Sequence, residues 1–381
     1  MATYLINGKI ILEKGIMSDH ILKIEGGKIA DIFYGSLEKE ESDQIIDLKG
    51  GYISPGWIDI HCHGAVGYDT MDADGEGIKK ISQFKASQGV TGFIPTGITA
   101  PFDQIEGAVD LLEKIKGEVA GASILGFHME GPFINPEKKG AHQEKLIVPA
   151  DKEMTRRLAE KITGKLIVTT APEMDGAIEY IEEMSKEGVL VAIGHSNGNY
   201  QDVISAQQAG ATHAVHTFNG MKGLHHREPG VVGAIMDSPL VAEVIADGIH
   251  LHPAVIRILS KLKLPEKMVL VTDAMRAAGL EDGEYDLGGL NVIKRGQEAR
   301  LEDGTLAGST LTLQRAVQNA VNLVGLTIVD AVAMAATNPA KLLGLSDKGL
   351  IGVGKDADLT LLTPQLEVRE TIIGGEIVYS N

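Results

Sequence analysis

Ile53-Ser54-Pro55-Gly56-Trp57-Ile58-Asp59-Ile60-His61-Cys62-His63-Gly64 decides how the rest of the chain is read. It has the composition of a short buried strand that ends in two histidines. Side chains alternate faces along a strand, so His61 and His63 share one face and Cys62 takes the other. Two imidazoles on one face at a strand's C-terminal end can hold one metal ion between them. The pair by itself does not decide the matter, because satisfied core or surface histidines give the same pattern more often. Its meaning depends on which ligands later strands supply.

Outward from this stretch, the chain changes character twice. On the N-terminal side, residues 2–52 break into short β-rich runs separated by Gly8, Gly26-Gly27 and Gly35. The last thirty or so residues have the same character, with Ala357–Leu362, Val368–Ile373 and Glu376–Tyr379 broken by Gly374-Gly375. Neither end can bury a sizeable core alone, so the two are expected to pair into one small β-sandwich, residues 1–52 with 350–381. The middle, residues 53–349, alternates apolar strand-like runs with helical patterns. After Ile53–Cys62 come Gly92–Pro95, Ile124–Met129, Leu166–Thr170, Val189–Ile193, Ala211–His216, Val241–Ala246 and Val269–Thr272. Eight such units in one stretch predict a (β/α)8 TIM-like barrel, with a doubly wound sheet as the alternative. Residues 277–306 read as an insertion of short strands and turns, in a position where it could close over a site.

The chain has 381 residues, a net charge of −17 and one cysteine. The acidic balance argues against nucleic acid and anionic membranes as partners. An anionic substrate would need a local cluster of positive groups. A single cysteine allows no intramolecular disulfide, which fits a reducing cytoplasm. The N-terminus lacks the pattern of a secretory signal, and no apolar run approaches the roughly 20 residues that span a bilayer.

Barrel chemistry sits at the C-terminal ends of strands. Those ends carry His61 and His63, then His128 and Glu130, His195, His213 and His216, Asp247 and His250, and finally Asp273. At least half of the 12 histidines fall there, which chance would not arrange. Imidazole and carboxylate suit Zn²⁺, Fe²⁺, Mn²⁺ or Co²⁺, and the mixture points to metal-assisted hydrolysis. Asp273 is placed to take a proton from water and return it to a leaving group, although an N-cap role would leave the same trace. Glu130 precedes Gly131-Pro132 and could be only a turn acid.

Beyond these residues the sequence resembles the amidohydrolase superfamily, and within it the amino-sugar 6-phosphate deacetylases. The resemblance runs nearly end to end. It is carried by Pro55-Gly56-Trp57-Ile58-Asp59, His128-Met129-Glu130-Gly131-Pro132-Phe133, Lys139-Gly140-Ala141-His142, Gly194-His195-Ser196, His216-Thr217-Phe218-Asn219-Gly220-Met221, Ala246-Asp247-Gly248-Ile249-His250, Val271-Thr272-Asp273-Ala274 and Leu306-Ala307-Gly308-Ser309. Many relatives bridge two metals with a carboxylated lysine on strand four. Here that strand ends in Thr169-Thr170-Ala171-Pro172-Glu173, and Glu130 on strand three takes the role.

The resemblance implies a set of roles. Glu130, His195 and His216 would bind the principal metal, and His61 and His63 a second, leaving one or two divalent ions per subunit open. Asp273 would be base and then acid. His142 would stabilise the oxyanion. Asn219, the Gly220 backbone and Arg227 would hold a 6-phosphate, with Arg227 reaching across from the neighbouring subunit of a homodimer. Read as residues alone, His225-His226-Arg227-Glu228 is equally a solvated loop. Ala141, His250, Leu306, Ala307 and Gly308 would contact the sugar. The implied reaction removes the acetyl group of N-acetyl-D-glucosamine 6-phosphate. The alternatives are an amidohydrolase acting on a cyclic amide or an N-acyl amino acid, and a silent scaffold, which would be expected to have lost ligands that this chain keeps.

Overall fold

A computed structural model describes residues 2–37 and 40–381. The eight barrel strands are β1 Trp57–Cys62, β2 Val90–Ile98, β3 Gly126–Glu130, β4 Lys165–Thr170, β5 Leu190–Ile193, β6 His213–Ala214, β7 Val241–Val244 and β8 Met268–Leu270. Each runs parallel to the next. Helices such as Gly75–Ser87, Phe102–Ile115 and Pro253–Lys263 cover the outside. All nine residues of β2 are buried, as expected for a parallel strand covered on both faces.

The barrel closes between β1 and the chain just past β8, and the closing bonds lie at the C-terminal end of the strands. Asp273 N–H donates to the His61 carbonyl at 2.9 Å, and His63 N–H to the Ala274 carbonyl at 2.9 Å. Deeper in this seam, Asp59 accepts from Lys85 Nζ at 2.6 Å and from Thr272 Oγ1 at 2.6 Å. All three residues are buried. Burial works against a charge on Lys85, but the Asp59 carboxylate outweighs it and raises the ammonium's pKa above the usual lysine range. The pair ties β1 to its own helix and to the end of β8.

The stretch read as one strand, Ile53–Cys62, is two. Tyr52–Pro55 pairs with Leu359–Leu362 in the sandwich, whereas Trp57–Cys62 pairs with β2. The break falls at Gly56, where a Cβ would lie 2.3 Å from Thr91 Oγ1 on β2, so only glycine lets the chain pass this close to the neighbouring barrel strand. The sandwich itself has a four-stranded sheet (28–33, 21–25, 3–6, 44–47) and a six-stranded one (376–380, 368–373, 359–362, 52–55, 9–12, 15–17). Leu5, Ile10, Leu22, Ile29, Ile53, Leu359 and Ile372 fill the space between them. Both chain ends contribute, as their composition predicts.

The insertion forms a three-stranded antiparallel sheet, Gly283–Leu287, Leu290–Arg295 and Glu298–Arg300. Leu287, Val292 and Ala299 pack with Ile98, Ala141, Met275 and Ala307, which fixes this sheet beside the barrel mouth.

Candidate active site

Three of the residues at the mouth adopt left-handed backbone, His195 (φ 46°), His216 (φ 27°) and Asp273 (φ 48°). This region is costly for residues with a Cβ and persists where surrounding structure enforces it, which is typical of functional sites. Here it turns each side chain inward at a strand end. In β6 it belongs to the turn that ends the regular strand at Ala214, short of His216, to which the apolar run extends.

The inward side chains converge on Glu130. Its Oε1 lies 2.8 Å from His216 Nε2, 3.2 Å from His195 Nε2 and 3.4 Å from His61 Nε2. Its Oε2 lies 3.1 Å from His63 Nε2 and 3.6 Å from His142 Nε2. Asp273 Oδ1 stands 3.5 Å from His61 Nε2 and 3.3 Å from His63 Nε2. Among the described residues two groups could hold an ion, His61/His63/Glu130 and Glu130/His195/His216, each with ligand atoms within 4.8 Å of one another. Glu130 belongs to both and stands between them. Cys62 belongs to neither.

The donor set fits a divalent ion. His195 Nδ1–H donates to the Lys138 carbonyl at 2.7 Å, which leaves Nε2 unprotonated and free to ligate. The buried His61 Nε2 has no hydrogen-bond partner. Electrostatics agree. Burial opposes protonation of His61, yet Glu130, Asp273 and Glu243 raise its pKa well above the imidazole range. Burial likewise opposes protonation of His63, but Asp273 and Glu130 lift it to about 9. Burial also works against ionised Glu130 and Asp273. His61, His195 and His216 nevertheless pull Glu130 well below the carboxylate range, and His61 and His63 hold Asp273 at about 2. The cluster therefore attracts positive charge at the lone pairs that a metal would use.

A cavity of about 340 Å³ opens above these groups. His63, Glu130, Gly140, Ala141, His142, His195, His216, Asn219, Gly220, His250, Asp273, Leu306 and Gly308 line it, with Leu287, Arg300 and Thr305 from the insertion side. The insertion is thus one wall of the site. Among the lining residues Arg300 is the one arginine or lysine.

Two residues expected at the substrate are not on this surface. Ala307 turns inward, is fully buried and packs in the insertion's core; its backbone N–H is taken by the Ala299 carbonyl at 3.0 Å. Arg227 lies on an exposed loop, with Nη1 2.8 Å from His226 Nε2, and does not line this chain's own cavity.

Several further groups support the site, and among them sequence reading had not singled out Thr99 or Glu243. Thr99 Oγ1 sits 2.6 Å from His142 Nδ1. Burial, followed by His195, holds His142 well below the imidazole range, so its ring is neutral. The contact occupies Nδ1 and leaves Nε2 facing the cavity, where it carries the ring proton when Thr99 is the donor. Asp247 Oδ2 accepts from His250 Nδ1–H at 2.6 Å and orients that ring. Glu243 accepts from His61 Nδ1–H at 2.9 Å. His128 bonds Thr169 at 2.8 Å, and burial, then His61, keeps it neutral; it braces the barrel.

A closed eight-stranded barrel with this His/Glu/Asp mouth defines a hydrolase of the metal-dependent barrel class. The sequence profile of the Amidohydrolase family matches residues 52–378, and the chain belongs to that family. It is similar to the N-acetylglucosamine-6-phosphate deacetylase of Bacillus subtilis (strain 168), 37% identical over 97% of this chain and 95% of that protein. It is also similar to the N-acetylgalactosamine-6-phosphate deacetylase of Escherichia coli O157:H7, 38% identical over 97% of both. The crystal structure of N-acetylglucosamine-6-phosphate deacetylase from Pasteurella multocida superposes with a TM-score of 0.94, at 32% identity and 100% coverage of both chains.

Proposed function

We propose that this chain hydrolyses the acetamide of N-acetyl-D-glucosamine 6-phosphate to D-glucosamine 6-phosphate and acetate. The observation that carries the reading is the convergence of Glu130, His195, His216, Asp273 and His142 on one cavity, in a chain similar from end to end to deacetylases of this kind. Glu130, His195 and His216 would hold the principal divalent ion, and His61 and His63 with Glu130 a second. When bound, such an ion polarises the amide carbonyl and lowers the pKa of water.

Asp273 is ionised at neutral pH and accepts the proton of the attacking water. His142 Nε2–H donates to the carbonyl oxygen as negative charge develops there. Asp273 then delivers its proton to the nitrogen as the C–N bond breaks, so the water oxygen ends in acetate, one water proton reaches the nitrogen through Asp273, and the other is released as acetic acid ionises. Asn219 and Gly220 face the cavity where the 6-phosphate is expected. His250, oriented by Asp247, faces the sugar.

The C4 epimer, N-acetylgalactosamine 6-phosphate, is the second reading, favoured by the Escherichia coli relative. Acetate release with both phosphorylated sugars, the unphosphorylated sugar, a cyclic amide and an N-acyl amino acid separates these substrates. The expected result is strong preference for a phosphorylated amino sugar. Equal rates on the unphosphorylated sugar would remove this reading.

The enzyme works as a cytoplasmic homodimer in which Arg227 of one protomer serves the neighbouring cavity. Arg227→Ala should raise KM for the phosphorylated sugar about tenfold, as the loss of uniform binding does. Mixing Arg227→Ala with Asp273→Asn protomers should recover part of the activity, since some mixed dimers hold one intact site. Absence of recovery in exchanged dimers would place the arginine in cis.

A further inference from the structure

We propose that Glu243 is the positioning residue that presents His61 as a ligand through Nε2, and so sets the affinity of the His61/His63 half of the centre for its ion. Glu243 lies on β7 and is completely buried. A carboxylate there is costly unless hydrogen bonds and nearby positive groups compensate it. Its partners are specific. Oε2 accepts from His61 Nδ1–H at 2.9 Å and from the His216 backbone N–H at 3.2 Å. Oε1 has no hydrogen-bond partner, and His213 Nε2 stands 3.5 Å from it. The main-chain carbonyl accepts from Thr217 N–H at 2.9 Å.

One carboxylate therefore holds the ring of His61 and the backbone on which His216 turns inward. Its effect on the two is unequal. Accepting from Nδ1–H commits that nitrogen to Glu243 and leaves Nε2 as the one that faces the centre, 3.4 Å from Glu130 Oε1 and 3.5 Å from Asp273 Oδ1. It also makes that nitrogen a better donor to a cation. On the other side, His195 is oriented by the Lys138 carbonyl, and Glu243 touches His216 only through the main chain. Loss of the Glu243 charge should thus weaken one half of the centre and spare the other. A merely structural carboxylate would weaken both halves together.

This inference rests on the metal-dependent reading of the site and not on the identity of the acyl sugar. Acetate release by the unaltered chain tests that reading separately. The experiment is calorimetric and absorption titration of the metal-free full-length chain with Co²⁺, comparing wild type, E243Q, H61A and the double variant. Wild type should take two ions. E243Q should bind the weaker one about ten- to a hundredfold less tightly, with the tighter one unchanged. H61A should lose the same weaker phase, and adding E243Q to H61A should change the remaining phase no further. If E243Q does not fold, E243D keeps the charge but withdraws it by one methylene, and the same selective weakening is expected. Equal weakening of both ions, an unchanged weaker phase, or a wild-type chain that takes one ion only would each overturn the proposal.

Discussion

The barrel mouth and the sandwich are built from opposite materials. Between the sandwich sheets lie Leu5, Ile10, Leu22, Ile53, Leu359 and Ile372, aliphatic groups that ask only for contact. At the mouth lie Glu130, Asp273, His61, His63, His195 and His216, all buried, three of them on left-handed backbone. The sandwich gains stability by removing apolar surface from water. The mouth spends it, by holding charges and strain in place before any substrate arrives. A protein divided in this way should respond to substitution in two separable modes.

The largest effect is expected at Asp273. Asp273→Asn should fold normally and bind metal, yet lose about 10²–10⁴-fold or more in turnover, because an amide can neither take nor return the proton. Acetate release within tenfold of wild type would break the assignment. Next comes the sandwich. Leu359→Ala removes a fully buried side chain and should cost about 2–5 kcal/mol by denaturant unfolding, while kcat of the folded enzyme stays the same. A fall in kcat would show that the two regions are not separable.

A smaller effect, of opposite sign, is expected at Asp69, beside the mouth. Burial raises its carboxyl to about 6, against a lesser opposing effect of His63. Its Oδ2 has no hydrogen-bond partner, while Oδ1 accepts from Met71 N–H at 2.9 Å. An acid whose pKa is raised on folding binds its proton more tightly in the native state. Stability is therefore lost as pH rises from near 4 through 6, and the deficit is complete above 6. Asp69→Asn keeps the Met71 bond and removes the charge. Metal-free protein carrying it should be more stable than wild type above pH 6, by on the order of 2 kcal/mol, and no different below pH 4. A Tm difference independent of pH would refute the electrostatic account and leave the mouth less opposed to the sandwich.

Much of this contrast was legible in the residues. Strand ends carrying His61, His63, Glu130, His195, His216 and Asp273 announced the site, because a parallel barrel places all such ends on one face. The β-rich ends announced the sandwich. The break at Gly56 was not legible, since a continuous apolar run looks the same whether it serves one sheet or two. The inward turn of Ala307 was not legible either, because a Leu-Ala-Gly-Ser run does not say which of its residues will face a cavity. Arg227 looked equally like a solvated loop residue and a phosphate ligand, and one chain's structure leaves it outside its own cavity.

By itself, then, the sequence determined what local periodicity and chemical type can encode: eight βα units, a shared face for the histidine pair, a donor set suited to a divalent ion and a carboxylate at the end of the last strand. Tertiary structure alone decided how those groups are held. Glu243 stands 182 residues from His61, Thr99 43 residues from His142, and Lys85 26 residues from Asp59. No motif spacing links such partners. They meet because barrel closure brings strands together in three dimensions, and a hydrogen bond depends on that distance and not on the length of chain between.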